Sequence, residues 1–170
     1  MAFFYPGHTE AGSAITELIL QVFRLHGALI GSGERLVQPL GLTAARWQVL
    51  SSVARAPQPG PVAHVARDMG LSRQSVQRVA DLLVTEGLLE YRENPYHKRA
   101  PILILTSRGR EAFQAATQKQ VSWANSLAAD ENPEDVLAAV ELLRELEQRL
   151  SRSFTASLSI GIVRPLRAFP

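Results

Sequence analysis

The chain of 170 residues contains no cysteine, and aromatic residues make up only 6% of it. Without cysteine it has no disulfide, no thiolate ligand for a metal ion and no thiol redox switch. Its N-terminus lacks the basic region followed by an apolar run that marks a secretory signal. Since no apolar run approaches the roughly 20 residues that span a bilayer, we expect a cytoplasmic protein with no membrane partner.

The residue patterns of common catalytic sites are missing as well. The sequence has no G-x-S-x-G element, no glycine-rich phosphate loop and no clustered pair of carboxylates. Its histidines, none of which shows the i, i+4 spacing of a helical metal site, are His8, His26, His64 and His97. We therefore expect no enzymatic activity, no cofactor and no bound metal ion.

Charge is distributed unevenly along the chain, although the formal net charge is only +2. Between Arg67 and Arg110, eight basic and five acidic residues give a net charge of +3. From Glu111 to Leu150, three basic and eight acidic residues give a net charge of −5. A basic middle and an acidic rear indicate that one surface meets phosphate while another faces away from it.

Two helices are predicted in the first third of the chain. From Ser13 onward, apolar residues recur at the i, i+3, i+4, i+7 spacing of an amphipathic helix. Pro39 and Gly41 predict the end of this helix. Thr43 predicts the N-cap of a second helix, Ala44–Arg55.

A helix, a tight turn and another helix are predicted next. Residues 56–61 are rich in proline and glycine, which predicts an irregular loop. A short helix follows and ends at Gly70, because glycine is favoured just beyond a helix C-terminus. Ser72 predicts the N-cap of a further helix, and Gly87 predicts its end.

A hairpin and two more helices complete the predicted order. The short β-like runs 88–92 and 102–105 flank a loop with a basic tip, and Pro101 is expected at the start or edge of its strand. A fifth helix is predicted from Thr106–Ser107 to about residue 129. Asn132–Pro133 predicts a sixth, since it supplies a cap and a proline suited to the first helical position.

The helix that follows Ser72 has two different faces. Val76 and Leu83 belong to an aliphatic stripe, whereas the opposite edge carries Ser72, Arg73, Gln74, Ser75, Gln77 and Arg78. Hydrogen-bonding side chains on such an edge suit the major groove of double-stranded DNA, where base edges present donors and acceptors. The hairpin tip adds Lys98 and Arg99 for contact with phosphate or the minor groove.

Segments 41–50 and 71–88, together with the hairpin, carry a resemblance to a known family. In that family the hairpin typically reads Asp-x-Arg and then Leu-Thr-x-x-Gly, and here it reads His97-Lys-Arg99 and then Leu105-Thr-Ser-Arg-Gly109. These motifs resemble the MarR (multiple antibiotic resistance regulator) family of bacterial winged-helix transcription factors. His97 replaces the acid that usually braces the wing arginine of the family.

The resemblance implies a mainly α fold with a small β-hairpin wing. It implies a winged helix-turn-helix DNA-binding lobe over residues 41–110. An N-terminal arm and dimerisation helix over residues 1–40 precede this lobe. Further dimerisation helices and a tail over residues 111–170 follow it. We therefore expect the chain to form a homodimer.

The same resemblance implies a sequence-specific transcriptional regulator, in our interpretation a repressor, that binds a pseudo-palindromic operator. It also implies an effector pocket near the first, second and fifth helices. His26 and Trp47 are the candidates to line that pocket, and the expected ligand is a small aromatic or apolar molecule. The alternative is a winged-helix module that binds other proteins and no DNA.

Overall fold

A computed structural model of the chain describes residues 7–97 and 99–159, with side chains up to residue 152. The described residues divide into two compact units, whose boundary lies between Trp123 and Ala124. In chain order the elements are α1 Glu10–Val37, a 3-10 turn Gln38–Leu40, α2 Ala44–Arg55, β1 Gly60–Pro61, α3 Val62–Asp68, α4 Arg73–Thr85, β2 Leu89–Arg92, β3 Ile102–Leu105, α5 Ser107–Leu127 and α6 Pro133–Ser159. The mainly α fold with a small β wing is confirmed.

The first helix begins three residues before the predicted start. Thr9 caps it, because the Thr9 hydroxyl oxygen accepts a hydrogen bond from the Gly12 backbone N–H at 3.0 Å. After the 3-10 turn, the chain leaves the helical path at Gly41, whose φ of 72° lies in the left-handed region that glycine adopts without strain. The predicted end of the helix is thereby confirmed.

Helix α1 corrects the expectation about apolar length. With the turn that follows it, Glu10–Leu40 is long and apolar enough to cross a membrane, by length and composition alone. The apolar side chains that are more than a third exposed on this helix are Ile19, Val22, Phe23, Leu25 and Leu29. The helix also carries five charged residues, among them Glu17 and Arg24 near its middle. These charges divide the helix into short apolar runs, and for that reason the helix was predicted from the sequence but was not counted as long and apolar enough to span a membrane.

The sheet has three antiparallel strands in the order β1-β3-β2. In β1, Gly60 pairs with Leu103 and Pro61 pairs with Ile102. The prediction that residues 56–61 form only a loop is therefore wrong for the last two. A two-residue strand of glycine and proline has no alternating pattern, and Pro61 is tolerated because β1 is an edge strand.

The hydrophobic core lies where the helices of the lobe meet the sheet. The largest fully buried side chains are Leu50 of α2, Leu83 of α4, Leu89 of β2 and Leu103 of β3. Each buried leucine stabilises the fold by roughly 1.5–3 kcal/mol relative to an exposed one. This packing fixes the position of α4 against the sheet.

Polar side chains form hydrogen bonds with the backbone at the N-terminus of α2. The Ala44 backbone N–H donates to the Glu34 carboxylate of α1 at 2.6 Å, and the Arg46 N–H donates to the Thr43 hydroxyl at 3.2 Å. A carboxylate at a helix N-terminus is favoured by the helix dipole. Arg46 then pairs with Glu86, just beyond α4, at 2.8 Å. Helices α1, α2 and α4 are joined by these contacts.

The second unit contains α6, whose start was predicted. The Glu134 backbone N–H donates to the Asn132 side-chain oxygen at 3.1 Å, so Asn132 caps the helix. Its exposed surface carries ion pairs within the helix, such as Arg144 with Glu141 at 3.3 Å. Leu137 and Leu150 are also exposed, at 66% and 70%. This helix therefore presents uncovered apolar side chains in the single chain.

Candidate nucleic-acid interface

The turn between α3 and α4 positions the candidate recognition helix. Gly70 takes a positive φ of 64°, and the Leu71 N–H donates back to the Ala66 carbonyl at 2.9 Å. The Ser72 hydroxyl oxygen then accepts from the Ser75 N–H at 3.2 Å, and the two serine hydroxyls lie 2.8 Å apart. The predicted cap is confirmed, and both serines lie at the exposed start of α4.

The outer face of α4 is polar and basic. Arg73, Gln74 and Arg78 are exposed, whereas Val76 and Leu83 on the other face are buried. A shallow depression on this outer face is lined by Arg73, Gln74, Gln77, Arg78 and Asp81. The structure therefore brings together four of the residues that the sequence predicted, and adds one carboxylate beside them.

Gln77 belongs to a side-chain triangle that the sequence did not predict. Its Nε2 donates to the Asp81 carboxylate at 2.9 Å and to the Tyr91 hydroxyl at 2.7 Å. The Tyr91 hydroxyl in turn donates to the same Asp81 oxygen at 2.7 Å. Since Tyr91 belongs to β2, the triangle ties the outer face of α4 to the wing.

Tyr91 is held in its neutral form within this triangle. Burial, together with the hydrogen bond and the negative charge of Asp81, raises the pKa of the Tyr91 hydroxyl to about 12. The Gln77 hydrogen bond opposes this rise, because it favours the phenolate. At neutral pH the Tyr91 hydroxyl is therefore protonated and donates its hydrogen bond to Asp81.

The loop between β2 and β3 is folded by Asn94. Its side-chain nitrogen donates to the Ala100 carbonyl at 2.9 Å, and its side-chain oxygen accepts from the Tyr96 N–H at 3.0 Å. The Ala100 N–H also donates to the His97 carbonyl at 3.0 Å. Thus Asn94 folds the tip, and His97, at the position of the usual acid, contributes backbone groups to it.

The wing tip presents two exposed side chains. Arg99, predicted from the sequence, is exposed, and Tyr96 is 96% exposed. Lys98, the other predicted wing residue, lies outside the described residues. Tyr96 was missed by the sequence reading, although a tyrosine in a loop with proline and asparagine is a signal for an exposed aromatic contact.

The end of the wing is tied to the end of α4. The Thr106 hydroxyl donates to the Gly87 carbonyl at 2.7 Å and accepts from the Gly109 N–H at 3.0 Å. The Arg108 guanidinium donates to the Glu86 carbonyl at 3.0 Å. The Leu-Thr-x-x-Gly motif therefore holds β3 and the start of α5 against the C-terminus of α4.

A cavity of about 520 Å³ lies in the same unit, and His26 and Trp47 both line it. Trp123, Ser51 and Arg55 also line it. The Ser51 hydroxyl oxygen is buried and has no hydrogen-bond partner within the described part of the chain. The structure thus brings the two predicted pocket residues together, and adds an arginine and an unsatisfied hydroxyl that the sequence reading missed.

Comparison with known proteins identifies the family. A model of the MarR family matches residues 40–100, which include α2, the turn, α4 and most of the wing. Uncharacterized protein Rv2011c of Mycobacterium tuberculosis (strain ATCC 25618 / H37Rv) is 42% identical over 132 residues. These residues are 78% of this chain and 91% of that protein. This chain belongs to the MarR family.

Solved MarR-family structures share the fold of this MarR chain. The MarR/EmrR family regulator from Acinetobacter sp. ADP1 has a TM-score of 0.73 at 19% identity, over 81% of this chain and 96% of that one. Sco5413 from Streptomyces coelicolor has a TM-score of 0.69 at 26% identity, over 82% and 96%.

A third solved structure was determined with small molecules bound. Staphylococcus aureus MarR in complex with salicylate and kanamycin has a TM-score of 0.70 at 13% identity, over 82% of this chain and 93% of that one. Together with family membership, the shared fold supports a DNA-binding transcription regulator as the function of this MarR chain.

Proposed function

We propose that this chain is a repressor that binds a pseudo-palindromic operator as a homodimer. The observation that carries the proposal is the outer face of α4, where Arg73, Gln74, Gln77 and Arg78 line one depression. This face is joined to the wing through Tyr91. A helix for the major groove and a basic wing beside it form a two-groove surface.

We assign DNA binding and homodimerisation to different parts of the chain according to where exposed apolar side chains lie. Residues 41–110 contain the polar face of α4 and the wing, and we assign DNA binding to them. Residues 1–40 and 111–170 contain α1 and α6, whose exposed apolar residues include Phe23 at 69% and Leu150 at 70%. We assign homodimerisation to these two parts, because a symmetric partner would remove that surface from water.

A two-fold dimer sets the geometry of the operator. Two α4 helices related by the dimer axis would enter successive major grooves, so the half-site centres would lie about 10 bp apart. The two wings would then contact the flanking DNA, with Lys98 and Arg99 near phosphates or in the minor groove. A dimer bound over a promoter would exclude the transcription machinery, which is why we propose repression.

The first test is binding to the DNA upstream of the chain's own coding sequence. Fluorescence anisotropy with a labelled duplex and an excess of unlabelled non-specific DNA measures the affinity. Arg73→Ala is expected to weaken binding by about 1–3 kcal/mol, since one base-reading arginine is lost. Arg144→Ala is the matched control, because it removes an exposed arginine from α6 and should leave the affinity unchanged.

The wing is tested in the same assay at several salt concentrations. Arg99→Ala should weaken binding to all duplexes and reduce the salt slope by about one unit if Arg99 pairs with phosphate. Wild-type affinity in Arg73→Ala and Gln77→Ala alike would refute the assignment of α4. A wild-type protein that binds no duplex above the non-specific level would favour the protein-interaction module.

We further propose that a small aromatic acid binds the 520 Å³ cavity and releases the operator. Trp47 and Trp123 supply flat apolar surface, while Arg55 supplies a positive charge for a carboxylate. Within the residues that the structure describes, the buried Ser51 hydroxyl has no hydrogen-bond partner, and a polar ligand group would provide one. His26 completes the polar part of the lining.

Salicylate is a suitable probe, since it is an aromatic acid present in the S. aureus MarR structure. In a Trp123→Phe variant, saturable quenching of Trp47 fluorescence would report occupancy of the cavity. Salicylate should also lower operator affinity, because release requires tighter binding to the DNA-free conformation. Quenching that survives unchanged in Ser51→Ala and Arg55→Ala would show that the cavity is not the site.

A further inference from the structure

The orientation of the Gln77 side chain is fixed by the chemistry of its neighbours. An ionised carboxylate only accepts hydrogen bonds. The Gln77 amide must therefore turn its nitrogen, not its oxygen, towards Asp81. Nε2 lies 2.9 Å from the Asp81 oxygen and 2.7 Å from the Tyr91 hydroxyl. Two partners on one side of the amide hold the nitrogen towards β2.

This orientation leaves the Gln77 side-chain oxygen, Oε1, as the group available to a ligand. Oε1 has no hydrogen-bond partner among the side chains that the structure describes around it. Gln77 lines the same outer depression as Arg73, Gln74 and Arg78. The lining of the depression therefore combines this acceptor with basic side chains and with the Asp81 carboxylate.

We propose that Gln77 reads its base through Oε1 as an acceptor, and that Asp81 and Tyr91 are positioning residues that fix it in that role. The proposal rests on the proposed operator binding by α4. In the major groove the bases that present an amino donor are cytosine and adenine, whereas guanine and thymine present acceptors there. The preferred base opposite Gln77 is therefore cytosine or adenine.

The prediction differs from the usual behaviour of glutamine. An unrestrained glutamine pairs with adenine through two hydrogen bonds, accepting from N6 and donating to N7. Because Nε2 already donates to Asp81 and Tyr91, we expect no hydrogen bond from it to the N7 atom of adenine. Replacing the N7 atom should therefore leave the affinity of the wild type for the duplex unchanged. It should lower the affinity of a variant in which Asp81 and Tyr91 no longer hold the Gln77 amide.

The experiment begins with selection of duplexes from a random library by the full-length protein. Gln77→Ala should relax the base preference at one position of the selected site, and the wild type should prefer cytosine or adenine there. Duplexes that carry adenine or 7-deazaadenine at that position are then compared. The wild type should bind both within about twofold. Purine without the N6 amino group should weaken binding roughly three- to tenfold, as expected for one lost hydrogen bond.

Variants of the positioning residues provide the second arm. In the double variant Asp81→Ala and Tyr91→Phe, the preference should move towards adenine, and 7-deazaadenine should now weaken binding roughly threefold or more. Asp81→Asn introduces an amide that can donate as well as accept, so the Gln77 amide is no longer held in one orientation by this neighbour and the variant should fall between the wild type and the double variant. Arg144→Ala is the control, since it changes an exposed side chain of α6 that lies outside α4 and the wing. Melting temperatures show that each surface variant is folded.

Three outcomes would overturn the inference while leaving operator binding intact. They are a guanine or thymine preference opposite Gln77, a loss of affinity of about threefold or more on 7-deazaadenine in the wild type, and a base preference that Gln77→Ala relaxes at no position. Selection that enriches no sequence with the wild type would instead refute operator binding itself, and the inference with it.

Discussion

At the scale of single residues, the sequence motif that ends the wing has a structural explanation. A Cβ placed on Gly109 would collide with the Leu88 carbonyl oxygen. The Gly109 N–H also donates to the Thr106 hydroxyl, which itself donates to the Gly87 carbonyl. Glycine is required here because the start of α5 passes against the backbone that links α4 to β2.

This contact predicts the effect of a single methyl group. Gly109→Ala should destabilise the protein by roughly 1–3 kcal/mol, because the backbone of Leu88 has to shift to make room. Urea unfolding followed by circular dichroism measures this change. It should be done at one fixed protein concentration, since the stability of a dimer depends on concentration.

Gly27→Ala is the matched control for this substitution. Gly27 lies in α1, and in the single chain an added Cβ there would meet nothing within 4 Å apart from its chain neighbours and the backbone of its own helix. Its stability should stay the same or rise by roughly 0.5–1 kcal/mol, since alanine favours helix. Equal midpoints for Gly109→Ala and the wild type would contradict the tight packing of α5 against the wing.

At the scale of elements, the helices could be predicted because their ends are encoded locally. Thr43, Ser72 and Asn132 each cap a helix through a neighbour two or three residues away. Such signals depend only on nearby residues. Strand β1 could not be predicted, because Gly60 and Pro61 become a strand only when β3 lies beside them.

Some residues of the candidate site could likewise be predicted from the sequence, and others could not. The exposed residues of α4 were predictable, since Arg73 and Arg78 fall on the face opposite a periodic apolar stripe. The role of Gln77 was not, because Tyr91 lies 14 positions further along the chain and meets it only through the packing of β2. Likewise, the Ser51 hydroxyl is recognised as unsatisfied only once its surroundings are known.

At the scale of the whole molecule, the exposed apolar surface of α1 relates the membrane-like composition of this helix to the proposed homodimer. Its exposed side chains, including Phe23 and Leu29, give the helix the composition of a membrane span. A homodimer that covers the same side chains would remove them from water without a bilayer. The proposed dimer therefore accounts for a surface that would otherwise be unfavourable in a regulator that binds DNA.

The most direct test of the account is a hydroxyl-radical footprint of the wild-type protein on its own upstream DNA, with excess non-specific competitor. Two α4 helices of one dimer predict two symmetric protected segments whose centres lie about 10 bp apart. Protection of the adjacent minor groove by the wings should flank both segments. Uniform protection, or none at protein concentrations that saturate binding, would contradict the claim that α4 and the wing form a sequence-reading surface.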